Sequence, residues 1–249
     1  MIHRDRIEAL MRTRRTQTNE VQRAACLLPA FGRVFEEGGK RPLSLVDVGC
    51  SGGLNLKWDQ FFYRYGEGRS WGDSNSAVVL ECELRGFERL PELAETIPVT
   101  WVRGMDLHPV DVEDMDEVLW LRSLVWPDHM GRQERLTAAM DIFRKDPPLL
   151  VEGDASAQLP MLLAEAPAET TLCVYATHVL YQFRREALIA LLKGMQSASR
   201  YRPIHFLSIE GTMGGRFSEL RWTAYENGDR SERLLARCNP HGRWLEWVL

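Results

Sequence analysis

Short apolar runs along this chain are separated by longer stretches in which apolar residues return every third or fourth position. That pattern predicts strands alternating with helices. The first helical stretch covers 2–37, where Val21, Ala24, Ala25 and Leu28 fall at i, i+3, i+4 and i+7 and form one apolar stripe. Pro29 bends or restarts that helix, and Glu37-Gly38-Gly39-Lys40 ends it. Leu43, Leu45, Val46 and Val48 mark a first strand, and further core strands are predicted at 99–102, 149–151, 171–176 and 204–209. Between them the acidic run Asp111 to Glu117 opens a helix, since carboxylates favour the positive end of its dipole. Leu136, Ala139, Met140 and Phe143 continue it up to Pro147-Pro148, and Leu188, Leu191, Leu192 and Met195 form one face of another helix.

Two segments depart from the alternation. After the first strand comes an aromatic stretch (Trp58, Phe61, Phe62, Tyr63, Tyr65), then a turn at Trp71-Gly72-Asp73-Ser74-Asn75 and a strand at 77–84. This insertion, about 57–97, is expected to lie over the mouth of a ligand site and make it enclosed and partly apolar. In the tail, turn signals at Asn227-Gly228 and Asn239-Pro240-His241-Gly242 separate alternating segments and predict an antiparallel meander. The whole reads as a helical cap over 1–40 and an α/β domain over 41–249, its sheet mostly parallel with antiparallel carboxyl-terminal strands.

Composition narrows the classes. A chain of 249 residues suffices for one such domain, and 45% apolar with 27% charged residues is ordinary for a soluble globular protein. A net charge of −4 argues against a nucleic-acid backbone as partner, and no apolar run has the length of a membrane span or a signal-peptide core. Cys26, Cys50, Cys82, Cys173 and Cys238 are odd in number and free of Cys-x-x-Cys pairs, which fits reduced thiols in the cytoplasm. The expected partner is a small molecule.

The candidate chemistry sits at strand ends. The first strand runs into Gly49-Cys50-Ser51-Gly52-Gly53, where glycines let the backbone turn sharply and lie against a ligand. A helix starting near Leu54 would point unpaired N–H groups at that ligand; the other reading is a tight turn with none. The loop lacks the Gly-x-Gly-x-x-Gly spacing of dinucleotide sites. Asp106, ending the second strand, can accept hydrogen bonds from two ribose hydroxyls or cap a helix before Pro109. Asp154 in Glu152-Gly153-Asp154-Ala155 is flanked by small residues with room for a flat ring, or it forms an Asx-turn. The fourth strand delivers Thr177, His178 and Tyr181, where His178 can serve as a general base or as a structural hydrogen-bonder. Trp126-Pro127-Asp128 precedes Arg132 and Arg135, which share a helix face and can grip a substrate carboxylate or phosphate or form surface ion pairs. Asp106, His108 and Asp111 read as a solvated helix start, and no metal site is expected.

The pattern Asp47-x-Gly49-x-x-Gly52-Gly53 resembles the first motif of class I S-adenosylmethionine-dependent methyltransferases, and Gly153-Asp154-Ala155 resembles their third. A closer resemblance joins Thr18-Asn19-Glu20-Val21-Gln22-Arg23, Ser51 to Leu56, Trp126-Pro127 with Arg132 and Arg135-Leu136, Gly153 to Ala155 and His241 to Trp247. Together these segments are similar to a bacterial family known only as domain of unknown function 2332. The methyltransferase resemblance implies a Rossmann-like fold of class I methyltransferase type with S-adenosylmethionine as cofactor. The loop Gly49, Cys50, Ser51, Gly52 and Gly53 would lie against its amino-acid part, Asp106 would hold its ribose and Asp154 its adenine, with Asp47, Asn55, Leu107, Gly153, Ala155 and Thr177 as further cofactor-binding residues. His178 and Tyr181 would face the methyl donor, with Asn19, Trp126, Arg132 and Arg135 toward the substrate. Thr18, Asn19, Glu20 and Arg23 are expected on a helix covering the cofactor.

Overall fold

The computed structural model describes residues 3–14, 16–66, 68–86, 89–126 and 130–249. Ile2 and Pro127-Asp128, on which sequence expectations fall, lie outside them. Its strands are β1 (Leu43–Val48), β2 (Phe62–Tyr65), β3 (Arg69–Trp71), β4 (Val79–Arg85), β5 (Val99–Asp106), β6 (Leu149–Glu152), β7 (Thr171–Thr177), β8 (Ile204–Gly211), β9 (Ser218–Glu226), β10 (Asp229–Cys238) and β11 (Trp244–Trp247). The α-helices are α1 (Arg4–Thr13), α2 (Ala24–Glu37), α3 (Met115–Ser123), α4 (Met130–Lys145), α5 (Ala155–Glu165) and α6 (Arg185–Ala198).

Among the described residues the strands form one sheet in the order β3-β2-β4-β11-β10-β9-β8-β7-β1-β5-β6. Its core, β6-β5-β1-β7-β8, is parallel throughout. Counted along the chain, these five strands stand in the order 3-2-1-4-5, so the winding direction reverses between β1 and β7. β8 to β11 continue as the predicted antiparallel meander. This is a mixed α/β fold with a mostly parallel central sheet and antiparallel strands.

Alternation along β1 explains the layering. Leu43 and Leu45 belong to the core that includes α2 and α4, whereas Val46 and Val48 belong to the opposite core beneath α5 and α6. β1 and β7 are buried along their entire lengths, as strands covered on both faces must be, which is why they read as nearly continuous apolar runs.

Four expectations are corrected. The helix predicted over 2–37 is two α-helices; residues 16–20 between them have no regular secondary structure and lead into a 3-10 turn at Val21–Arg23. Thr18 and Asn19 are therefore not helical, and Glu20 caps the 3-10 turn through its side chain. α2 runs unbroken through Pro29 and is buried on nearly all sides, not along one stripe. The aromatic insertion does not roof the carboxyl ends of the core strands: Trp58, Phe61, Tyr63 and Tyr65 are core residues, with Trp58 stacked on Phe31 at 4.7 Å and Tyr65 donating to the Ala25 carbonyl at 2.6 Å. β4 pairs in parallel with β11, so the insertion extends the sheet. Finally, the helix predicted from Asp111 is two helices, with Asp114 capping α3 by accepting from the Asp116 and Glu117 amides.

Candidate functional site

Where the winding reverses, the loops leaving β1 and β7 run to opposite sides and open a crevice at the strands' carboxyl ends. A cavity of about 540 Å3 occupies that position, within the roughly 300–1,000 Å3 typical of small-molecule sites. It brings together Asn19, Asp47, Gly49, Cys50, Ser51, Asn55, Asp106, Leu107, Gly153, Asp154, Ala155, Thr177, His178 and Tyr181. Gly52 and Gly53 lie beneath its wall: a Cβ on Gly52 would touch the Asn19 side chain and Val112, and one on Gly53 would collide with Leu150. Trp126 is 71% exposed and lines no part of it.

The glycine loop is tied to the fold, not left open as an anion cradle. The Gly49 and Cys50 amides donate to the Met105 carbonyl, and Ser51 N–H donates to Asp106 Oδ2 at 3.0 Å. Gly53 N–H donates to the Cys50 carbonyl. The helix expected at Leu54 is a 3-10 helix, Leu54–Gln60, and its first N–H donates to Asn19 Oδ1 at 3.2 Å. Asp106 therefore staples the loop, using its second oxygen for the His108 amide at 3.0 Å. Each carboxylate oxygen keeps one further lone pair for a ligand. Asp154 caps α5, its Oδ1 accepting from the Ser156 amide and hydroxyl at 2.8 and 2.7 Å. Gly49 sits at φ +77° with Val179 packed where a Cβ would go. Gly49→Ala should lower stability by roughly 2–4 kcal/mol from left-handed strain plus overpacking, read as a fall in the denaturation midpoint; unchanged stability would contradict this geometry.

Side chains give the cavity its chemistry. Asp47 shares the α2 face of β1 with Leu43 and Leu45 and opposes Tyr175 across the ladder. Burial pushes its pKa up to about 8, helped by the nearby Asp106 carboxylate and opposed by the Tyr175 hydroxyl and Arg23. Arg23, from the 3-10 turn before α2, is only 8% exposed yet lines the cavity. Among the described residues its side chain makes one hydrogen bond, Nε to the Pro240 carbonyl at 2.9 Å, and no ion pair. Ser51 Oγ and Asn55 Oδ1, also in the lining residues, are buried without partners. The cavity thus holds a buried cation, a protonated acid and two unsatisfied polar atoms, the kind of groups that a polar ligand satisfies.

His178 follows β7 in a left-handed conformation, φ +54°, fixed by its N–H to the Ile209 carbonyl at 2.8 Å. Its Nε2 lies 3.0 Å from Ser218 Oγ, and burial, with Arg23 and His241 nearby, lowers its pKa to about 4. The ring is neutral at physiological pH and a weak base. Tyr181 is 73% exposed at the rim. Glu210, from the end of β8, anchors this turn by accepting from the Val179 and Leu180 amides at 3.0 and 2.9 Å.

Arg132 and Arg135 do not reach this cavity. They line a second one, about 460 Å3, which shares no lining residue with the first. Glu20 stands between the two regions. Its Oε2 meets Arg132 at 2.6 Å and His241 Nδ1 at 3.3 Å, and its backbone carbonyl accepts from Asn55 Nδ2 at 3.4 Å. Burial raises the Glu20 pKa, but His241, Arg132 and Arg23 outweigh it and hold the carboxyl below its ordinary value. Arg23 is the main residue that sequence reasoning left without a chemical role. Its sequence signal was its place in the Thr18–Arg23 segment of the family resemblance, and its position depends on Pro240, far away in the chain.

Fold and cavity define a mixed α/β protein with a cavity at the point where its parallel sheet changes direction. The chain belongs to the bacterial family DUF2332, described as an uncharacterized protein conserved in bacteria, whose profile matches residues 2–247. A search among curated proteins found no match. Among the described residues no helix is long and apolar enough to cross a membrane, and all five cysteines are free and buried.

Proposed function

We propose that the protein is an S-adenosylmethionine-dependent methyltransferase acting on a small molecule, with a Rossmann-like fold of the class I type. The observation that carries this reading is the presence together, in the cavity beside the glycine loop, of Asp47 and a buried Arg23 that makes no ion pair among the described residues. An α-amino acid carries a carboxylate and an ammonium on one carbon. Arg23 matches the carboxylate, and Asp47, once ionised, matches the ammonium. Ser51 Oγ and Asn55 Oδ1 supply further polar contacts for the same end. Asp106 and Asp154, at the ends of the next two strands of the sheet, each retain acceptor capacity for ribose hydroxyls and an adenine amino group.

When bound, S-adenosylmethionine supplies an electrophilic methyl group on a sulfonium centre. The chain's own part is to align donor and acceptor, exclude water and take up a proton where the acceptor is a hydroxyl or amine. His178 is the candidate for that last task, with Tyr181 at the rim of the same cavity. Its neutral ring can accept a proton over the whole range above about pH 4. His178→Ala should keep cofactor affinity and lower turnover by about a hundredfold, the low end for general-base catalysis. Full turnover with intact binding removes the histidine from the reaction, and lost binding moves it to the cofactor shell.

The test of the reading is calorimetry with S-adenosylmethionine and S-adenosylhomocysteine beside NAD and ATP. Both sulfur nucleosides should bind at one site per chain. Binding of NAD with no response to S-adenosylhomocysteine would assign the cavity to a dehydrogenase instead.

A further inference from the structure

The second cavity, bounded by β2, β4, α4 and the carboxyl-terminal turn, is independent of the cofactor reading. Its walls contain four guanidinium groups (Arg64, Arg132, Arg135 and Arg243) and two carboxylates, Glu20 and Glu81. Glu20 is committed to Arg132 at 2.6 Å, and Glu81 to Arg64 at 3.1 Å. Arg135 has no ion-pair partner among the described residues, and its Nε is buried without a hydrogen bond. Burial lowers its pKa; the Glu20 and Glu134 carboxylates oppose that, and the neighbouring Arg132 and Arg243 add to it. Holding a half-buried guanidinium against like charges is unfavourable without an anion. A planar fork with free N–H groups suits a tetrahedral or planar oxyanion held by two parallel bonds.

We infer that this cavity is a second, separate binding site for the phosphate group of a small molecule, with Arg135 as the central contact and Arg64 at the rim. Several guanidinium groups around one space favour a multiply charged oxyanion over a single carboxylate.

The experiment is calorimetric titration of the full-length protein at pH 8 and fixed ionic strength, with inorganic phosphate as probe and acetate as comparison. Phosphate should saturate one site with at least tenfold higher affinity than acetate. Arg135→Gln should weaken phosphate binding at least tenfold. Arg64→Ala, at an exposed position that tolerates substitution, should weaken it severalfold, so the inference stays testable even if the Arg135 variant folds poorly. Equal affinity for acetate, no saturation, or insensitivity to both Arg135→Gln and Arg64→Ala would each overturn the assignment. None of these results depends on whether S-adenosylmethionine binds the first cavity.

Discussion

Arg23→Met should reduce affinity for S-adenosylhomocysteine by at least about thirtyfold while the protein stays folded. Arg23 is buried, lines the cavity and has no carboxylate within ion-pair distance among the described residues. A ligand carboxylate that completes this pair forms a desolvated, charge-assisted contact, and removing one side of such a contact costs roughly 2–5 kcal/mol. That corresponds to about thirtyfold to several thousandfold in affinity. The stability of the free protein should change little. Methionine keeps the unbranched stem in place, and replacing a buried ionic group by an apolar one of similar volume is often neutral. What the substitution removes is the hydrogen bond to the Pro240 carbonyl. Affinity measured by calorimetry and stability measured by denaturation separate the two outcomes. Unchanged affinity would show that Arg23 is structural; a collapse of stability would show that it holds the 3-10 turn and the carboxyl-terminal segment together.

Asp47→Asn should have opposite effects on stability and binding, both dependent on pH. Burial, aided by Asp106, holds the Asp47 pKa at about 8 in the fold against an ordinary 3.8. A group whose folded pKa is raised favours the native state fully below its unfolded pKa. That contribution falls as pH climbs toward the folded value, by at most about 1.4 kcal/mol per pH unit for one proton. The unsubstituted protein should therefore lose stability between about pH 4 and pH 8 through this residue, and Asp47→Asn should not. The variant should be the more stable of the two at pH 8 and above. Binding runs the other way. A ligand ammonium stabilises the ionised carboxylate, so affinity for S-adenosylhomocysteine should rise with pH up to about 8 and binding near neutrality should release a proton. Asp47→Asn should abolish both the pH dependence and most of the affinity. Identical stability curves for the two proteins would mean that Asp47 ionises normally.

The parallel core was legible because its strands are covered on both faces. Runs such as Leu43 to Val48 and Thr171 to Ala176 stay apolar with few interruptions, and the polar exceptions in them, Asp47 above all, mark the site. β2 and β3, of four and three residues, were too short to show a period, and their aromatic residues read equally well as pocket or core. α5 went unpredicted although its buried Ala155, Leu159, Leu162 and Leu163 fall at i, i+4, i+7 and i+8, because Pro160 lies inside it and further apolar residues blur that stripe. At the site, strand-end residues were legible from their place in the chain, because parallel topology brings those ends together. Whether Asp106 and Asp154 bind a ligand or cap backbone was not, since one carboxylate can do both. The contacts of Glu20 with Arg132 and His241, and of Arg23 with Pro240, join residues more than a hundred positions apart. No local pattern encodes such meetings, although three of the segments marked by the family resemblance supply residues to them.

The most direct test of the central claim compares S-adenosylhomocysteine with 5′-methylthioadenosine, which lacks the amino-acid carbons, in calorimetric titrations of the unsubstituted protein and Arg23→Met. If Arg23 and Asp47 hold the amino-acid end, the unsubstituted protein should prefer S-adenosylhomocysteine by at least about a hundredfold, and that preference should largely disappear in Arg23→Met. Equal affinity for the two nucleosides in the unsubstituted protein, or a preference that survives the substitution, would contradict the account.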